Sequence, residues 1–180
     1  MQASSVVSYH SAFNDESQFQ SACGFALAPL RTKTSGPAPK MDEGEDIVDE
    51  AISQFRANIL FKNYQVRGPA DKVIIYLTVY IQKILETIAK SNNDQDAKRN
   101  VLALMNEAVP SPSAPGFFMG NLVLKGRGSG EEEKFRGYCK QLKEECAGRL
   151  MNILYNPQYG TMDLKFWLAF AKRKFLKLSM

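Results

Sequence analysis

The chain is poor in the residue types from which most catalytic and metal sites are built. Its 180 residues include one histidine and three cysteines, and no two cysteines form a Cys-x-x-Cys pair. Cys139 and Cys146 are two helical turns apart, which is too far for a disulfide within one helix. The thiols are therefore expected to be reduced, as in cytosolic proteins. The dispersed cysteines and His10 also lack the close ligand spacing that is typical of a zinc site.

Long hydrophobic runs are missing as well. No cationic segment followed by an apolar core stands at the N-terminus, so no signal peptide is expected. The stretch Val73–Ile81 is apolar for about nine residues, well short of the roughly 20 that a membrane-spanning helix needs. The length favours one domain, and 44% hydrophobic with 23% charged residues is typical of a globular protein. A cytoplasmic protein without a membrane span is the expectation.

The segment at about 69–91 predicts a helix that is apolar on nearly all sides. Pro69 suits the first helical position, and Asp71 suits the positive helix start. A soluble helix of this kind must be surrounded by other elements. The predicted fold is therefore all-α, a single-domain helical bundle with this helix at its centre.

The rest of the chain predicts an irregular arm over 1–44 and a helical domain over 45–180. Apolar residues at helical spacing predict the other helices, at about 46–63, 94–108, 129–155 and 162–178. Ser129 and Glu132 have capping-box spacing, and Thr161 suits the cap of the last helix. The proline-rich connection at 109–128 contains Leu122-Val123-Leu124, which fits either a short strand or an extended strap.

Two segments superficially suggest chemistry. His10 and Ser11 are adjacent on the arm, whereas a hydrolase triad brings its members together from separate elements. The loop Gly126–Gly130 lacks the Gly-Lys-Ser/Thr of a phosphate-binding loop, and glutamates at the following helix start would repel an anion. No catalytic residue, cofactor, metal or small-molecule ligand is predicted from either segment.

Partner contact is better supported by a basic and aromatic cluster near residue 170. The net charge is only +4, but basic residues concentrate at this end of the chain, opposite an acidic cluster at 42–50. The candidate contact residues are Lys165, Phe166, Phe170, Lys172, Arg173, Lys174 and Lys177, with Phe117 and Phe118 of the proline-rich connection added. A basic helix of this kind suits an acidic protein, nucleic acid or an anionic membrane, and a solvated face remains an alternative.

Several short segments, spread over nearly the whole chain, match one known family in order and spacing. They are Tyr9-His10-Ser11, Leu27–Arg31, Gly36–Pro39, Asp46–Ile52, Phe61–Tyr64, Ile75–Thr78, Pro115–Phe117 and Lys165–Trp167. In these segments the chain resembles subunit 3, the 21-kilodalton subunit, of the actin-related protein 2/3 complex.

The resemblance implies an all-helical, non-catalytic subunit of a seven-membered complex that nucleates branched actin filaments. It also implies packing against the actin-related protein 3 subunit and a position at the mother-filament side of a branch, within the cytoplasmic actin cytoskeleton. In that family ATP binds to the two actin-related subunits, so no cofactor is expected here. A basic helical module that binds nucleic acid or an anionic membrane surface is the alternative prediction.

Overall fold

A computed structural model describes residues 8–156, 158 and 164–180 of the chain. In order, the elements are strands β1 (Ser21–Ala22) and β2 (Phe25–Ala26) and helices α1 (Ile47–Asn58), α2 (Pro69–Ala89), α3 (Asp94–Asn106), α4 (Ser129–Tyr155) and α5 (Leu164–Leu168). Short 3-10 turns at Gly120–Leu122 and Phe175–Lys177 are also among the described elements. The helical elements dominate, as predicted.

Helix α2 is the centre of the fold. It is contacted by α1, α3, α4, α5 and β2. Side chains on all its sides are buried, including Val73, Leu77 and Ile81, which are inaccessible to solvent. Its start follows the prediction, because Pro69 is the first helical residue and Gly68 is the N-cap in an extended conformation. The predicted central helix is confirmed, with its end at Ala89 instead of residue 91.

A small β-hairpin makes the all-α prediction only approximately correct. β1 and β2 pair antiparallel, with Ser21 opposite Ala26 and Ala22 opposite Phe25. The turn between them uses left-handed φ angles at Cys23 (50°) and Gly24 (85°), the conformation that two-residue hairpins favour. This hairpin buries Phe25 against the rings of Tyr76 and Phe135. Two-residue strands leave too little alternation for sequence patterning to detect.

Helix α1 is shorter than predicted: beyond Asn58 the N–H groups of Leu60 and Phe61 donate to the carbonyls of Ala57 and Asn58, which are i→i+3 turns and not α-helical bonds. It ends at Asn58, whose buried side-chain oxygen accepts a hydrogen bond from the backbone N–H of Tyr9 (3.1 Å). Its start has a true capping box: Asp46 accepts from the N–H of Asp49, and Asp49 accepts from the N–H of Asp46. The capping box predicted at Ser129 is wrong. Gly128 caps α4 without a side-chain hydrogen bond.

The proline-rich connection carries a strap, not a strand. After the 3-10 turn Gly120–Leu122, the chain is extended, and the N–H of Leu124 donates to the carbonyl of Cys23 (2.9 Å). This single hydrogen bond attaches the connection to the hairpin turn. The strap alternative for Leu122-Val123-Leu124 is therefore the correct one.

The predicted helix at 162–178 is wrong over most of its described length. α5 ends at Leu168, turns follow, and the predicted cap Thr161 lies outside the described residues. Leu176 and Lys177 have φ angles of 51° and 60°, which an α-helix cannot contain. Phe175 explains the departure: it is fully buried, and its N–H donates to the Gln82 side chain (3.4 Å). Burial of this ring against α2 takes precedence over helical propensity.

Candidate functional site

The lone histidine is part of a hydrogen-bonded chain that resembles a hydrolase triad. His10 Nδ1 lies 2.7 Å from Asp71 Oδ2, and His10 Nε2 lies 3.2 Å from Ser8 Oγ. Asp71 also accepts from the N–H of Ser11 (2.9 Å) and the Asn14 amide (2.8 Å). Both carboxylate oxygens thus hold the arm against the start of α2. None of the cavities described below is lined by Ser8 or His10, so this geometry is that of an anchor.

Hydrogen bonding sets the charge state of this anchor. Burial alone would raise the pKa of Asp71, but hydrogen bonds from Ser11, Arg67, Asn14 and His10 outweigh it and hold the pKa below the ordinary 3.8. Asp71 is therefore ionised at neutral pH, and its carboxylate accepts the hydrogen bonds that Ser11 and Asn14 of the arm donate.

A second polar cluster, around Arg149, joins the arm, α1 and α4. The guanidinium of Arg149 contacts both oxygens of Asp46 at 2.6 and 2.8 Å, and Asp49 Oδ1 at 3.0 Å. It also donates to the backbone carbonyl of Arg31 (2.8 Å) and to the carboxylate of Glu145. Such a two-pronged contact is the geometry in which arginine binds carboxylates best. The charged groups of this cluster therefore bind each other and connect the arm, α1 and α4.

The cysteines have the properties of core residues. Cys23, Cys139 and Cys146 are all buried and free. Burial is the main cause that raises the thiol pKa of Cys23 to about 11 and that of Cys146 to about 12, and the pKa of Cys139 is raised as well. Within the described residues no group of three histidine, cysteine or acidic side chains is placed to hold a metal ion.

The Gly126–Gly130 loop does not present its backbone to an anion. The N–H of Arg127 donates to Glu131 (2.7 Å), and the N–H of Gly126 points to Glu132 (3.4 Å). Glu132 in turn accepts from the hydroxyls of Ser111 and Ser113. Carboxylates of α4 thus accept from two N–H groups of this loop.

The predicted contact residues of the C-terminal segment lie on the surface, but not on one helix. Lys165 and Phe166 are exposed on α5, and Phe170 is half-buried in the turn that follows. We call this region the basic–aromatic surface. It comprises Lys165, Phe166, Phe170, Lys172, Arg173, Lys174 and Lys177. Its cations beyond α5 follow an irregular path, so the helical face assigned to them by spacing is wrong.

Aromatic packing fixes the base of this surface. The ring of Phe170 lies 6.2 Å from Phe55 of α1 and 5.8 Å from Phe166, and Trp167 stacks on Phe55 at 5.9 Å. Phe166 is 47% exposed and is covered on one side by the guanidinium of Arg56, 5.2 Å from its centroid. An exposed ring on a rigid base, covered on one side by the guanidinium of Arg56, is a suitable contact for a protein partner.

Phe117 and Phe118 are engaged within the chain. Phe118 packs against Tyr76 (5.7 Å) and Phe117 against Phe135 (6.1 Å), with 5.3 Å between the two phenylalanines. Both are half-buried and line a cavity of about 370 Å³ beside α2. Their role as partner contacts stays a prediction.

Sequence reasoning missed an open groove between α3 and α4. It has a volume of about 910 Å³, and Leu102, which lines it, is 55% exposed. Gly148 lies on its floor, where an added Cβ would meet no atom within 4 Å. The only sequence signal is a glycine in the middle of a long helix, where glycine is unfavourable.

No helix in the described part of the chain is both long and apolar enough to cross a membrane. Comparison with known proteins identifies a family model described as the ARP2/3 complex ARPC3 (21 kDa) subunit, which matches residues 6–180. Actin-related protein 2/3 complex subunit 3 of Arabidopsis thaliana is 42% identical over 171 residues, which cover 94% of this chain and 97% of the relative. The protein of the same name from Dictyostelium discoideum is 40% identical over 174 residues, 96% of this chain and 99% of the relative. That of Schizosaccharomyces pombe is 34% identical over 173 residues, 96% and 98% respectively.

Proposed function

Because the chain belongs to the ARPC3 (21 kDa) subunit family of the ARP2/3 complex, we propose that it joins this complex by docking its basic–aromatic surface on the actin-related protein 3 subunit. The chain is a non-catalytic structural subunit, in a complex that nucleates actin filaments. Its place is the cytoplasmic actin cytoskeleton. Contact with the mother filament is a second part of the same proposal.

The main observation behind the proposal is that the two polar clusters bind elements of this chain to each other and make a rigid body. The Asp71 anchor and the Arg149 cluster bind elements of the same chain to each other, and α2 is enclosed by its neighbours. A rigid body that presents preformed contacts loses little conformational entropy when it binds. Such a body suits a scaffold.

The basic–aromatic surface supports docking through its charge and its exposed ring. Lys172, Arg173 and Lys174 are consecutive and exposed, and the same C-terminal segment carries the exposed ring of Phe166. Exposed cations mainly accelerate association with an acidic partner and add little affinity each. The exposed ring of Phe166 adds apolar area that is removed from water on binding, and the cations alone do not provide such area.

Charge reversal of the three consecutive cations tests this proposal. The triple variant Lys172→Glu, Arg173→Glu, Lys174→Glu should fold normally, because all three side chains are exposed. It should enter the reconstituted complex more slowly, or branch actin less, and the defect should grow as salt is lowered. Pull-down of the actin-related protein 3 subunit and a pyrene-actin assay with branch counting provide the measurements.

A matched control carries the same change in net charge elsewhere, at Lys33, Lys40 and Lys125, which are also exposed. It should assemble and branch normally. If the first triple variant does so too, the basic–aromatic surface has no role in docking. The relatives give no support to the alternative of nucleic-acid or membrane binding by the same cations.

A further inference from the structure

A cavity of about 370 Å³ lies between α2, the end of α3, the proline-rich connection, α4 and the C-terminal residues Ser179 and Met180. It belongs neither to the basic–aromatic surface nor to the groove between α3 and α4. Its volume is in the range of roughly 300–1,000 Å³ that is usual for ligand pockets. It therefore has room for an organic group of moderate size.

Most of the wall is apolar or aromatic. Phe117, Phe118, Val109, Pro110 and Pro115 come from the proline-rich connection. The contact between Phe118 and Tyr76 of α2 holds that wall in place. A ligand with an aromatic or aliphatic body would exchange water for these rings and methylenes.

One buried polar group in the cavity lining has no partner. Tyr80 is inaccessible to solvent, is part of the cavity lining, and has a hydroxyl without a hydrogen-bond partner among the described residues. Buried hydroxyls are nearly always hydrogen-bonded, because leaving one unpaired is unfavourable. A ligand that shifts the side chains around this hydroxyl enough to reach it would gain an unused donor.

A buried ammonium lies near the ring of Tyr80. Lys143 is 6% exposed, and its Nζ lies 5.7 Å from the centre of the Tyr80 ring. Nζ donates to the backbone carbonyl of Glu107 (2.8 Å), and an ammonium group has three N–H donors. Burial lowers the pKa of Lys143, as expected for a cation with too little compensation.

The charges around the cavity favour an anion. Lys83 and Lys143 line it together with one side-chain carboxylate, that of Glu107, which is on an exposed residue. Among the charged side chains of the lining, positive charge is therefore in excess. A group with two acceptor oxygens and a negative charge complements this excess.

We propose that this cavity binds a carboxylate carried on an aromatic or aliphatic body, with Tyr80 and Lys143 as the donors and Phe117 and Phe118 as the apolar wall. The carboxylate belongs either to a small organic acid or to the end of a peptide whose last side chain is apolar. The site is independent of docking by the basic–aromatic surface.

The test is an NMR titration of the full chain with 3-phenylpropanoate, compared with the neutral amide 3-phenylpropanamide. The acid should give saturable shifts of resonances from Phe117 and Phe118, and the amide should bind at least about tenfold more weakly, as expected for loss of a charge-assisted hydrogen bond. Absence of saturable shifts, or equal binding of acid and amide, would overturn the proposal.

Two variants with opposite expected effects on stability make the test specific. Tyr80→Phe should raise the urea midpoint of the free chain, because it deletes an unpaired buried hydroxyl, and yet weaken 3-phenylpropanoate binding about fivefold or more. Tyr138→Phe is the control, since its buried hydroxyl donates to the carbonyl of Ala28 (2.9 Å) outside the cavity. It should lower the urea midpoint and leave binding unchanged. Unchanged binding by Tyr80→Phe would contradict the assignment.

Charge variants give a second, signed check. Lys143→Met should abolish the preference for acid over amide, and Glu107→Gln should strengthen binding of the acid, because it removes the opposing carboxylate. The reverse order would refute the assignment of Lys143 as the donor.

The source of the carboxylate is distinguished by a short peptide that ends in phenylalanine, with a free or an amidated C-terminus. Tighter binding of the free-acid peptide than of 3-phenylpropanoate assigns the site to a chain end of a partner. Equal or weaker binding assigns it to a small organic acid. If the amidated peptide binds as well as the free one and 3-phenylpropanoate does not bind, the proposal is wrong.

Discussion

Replacement of Arg149 by methionine is the most demanding test of how the arm, α1 and α4 are joined. Methionine keeps much of the packed stem and removes the guanidinium. It thereby deletes the contacts to Asp46 at 2.6 and 2.8 Å, to Asp49 at 3.0 Å and to the carbonyl of Arg31. The Arg149 side chain is 17% exposed, and that of Asp46 is fully buried.

The size of the effect follows from what remains around Asp46. Breaking a buried ion pair by removing one partner typically costs about 3–5 kcal/mol. Asp46 keeps hydrogen bonds from the backbone N–H groups of Arg31, Val48 and Asp49. We therefore expect the lower part of that range, about 3 kcal/mol, in the free energy of unfolding. With a urea slope of about 2 kcal/mol/M, the midpoint should fall by about 1.5 M.

The loss of unfolding free energy caused by Arg149→Met should also depend on pH. Burial raises the pKa of Asp46, but hydrogen bonds from Arg149, Arg31 and Asp49 outweigh it, so that its pKa is below 3.8 in the folded chain. A carboxyl group with a lowered pKa stabilises the fold above its unfolded pKa, and this contribution is lost as the pH falls. The difference between wild type and Arg149→Met should therefore be largest near neutral pH and shrink below pH 3.8.

Urea denaturation followed by circular dichroism measures both effects. Arg99→Met is the matched control, since its side chain is 73% exposed and pairs only with Asp96 at the surface (2.9 Å). That variant should change the free energy of unfolding by about 0.5 kcal/mol or less. A loss of under about 1 kcal/mol in Arg149→Met, or a loss independent of pH, would refute the structural role given to the cluster.

Three further predictions concern the core, the arm and the groove. Leu77→Asp puts an unpaired charge in the middle of the enclosed helix α2 and should destabilise the chain by several kcal/mol or prevent folding. The control Leu102→Asp, at a 55% exposed position, should leave the urea midpoint nearly unchanged. A stable Leu77→Asp chain would mean that α2 is not enclosed. Asp71→Asn should lower stability at pH 7, and the loss should shrink as the pH falls below 3.8, because the pKa of Asp71 is lowered in the fold; a pH-independent loss would contradict its role as an ionised anchor. Gly148→Ala should raise the free energy of unfolding by about 0.5–1 kcal/mol in thermal or urea melts, because its Cβ enters open space in mid-helix; destabilisation would show that the groove is closed.

The parts of the fold that were predictable are those set by local pattern and by exclusion from water. The near-complete apolar character of α2 forced an enclosed position, and Pro69 marked its start correctly. These inferences do not depend on which distant residue each side chain meets.

The parts that failed depend on contacts between distant residues. Phe175 has helical spacing from Trp167 and Ala171, and all three are buried, but Phe175 reaches the core from an irregular segment instead of from one helix. At α4, Ser129 had the spacing of a cap, but Glu132 is drawn to Ser111 and Ser113 of the connection. In each case a long-range contact takes precedence over the local signal.

The interaction surfaces were predictable in composition but not in shape. The exposure of Phe166 and the cations could be expected from their types, whereas their irregular path beyond Leu168 could not. The unpaired hydroxyl of Tyr80 has no sequence signature, and the open space above Gly148 has only the mid-helix glycine as a signal, because both are defined by the absence of neighbouring atoms among the described residues.

The most direct test of the central claim is purification of the tagged full chain from a native lysate of its source, followed by mass spectrometry and size-exclusion chromatography. The chain should co-elute with both actin-related proteins and the other subunits of the complex, in a fraction that nucleates branched actin. Elution of the folded chain alone, with the actin-related proteins in a separate peak that is complete without it, would contradict its role as a subunit.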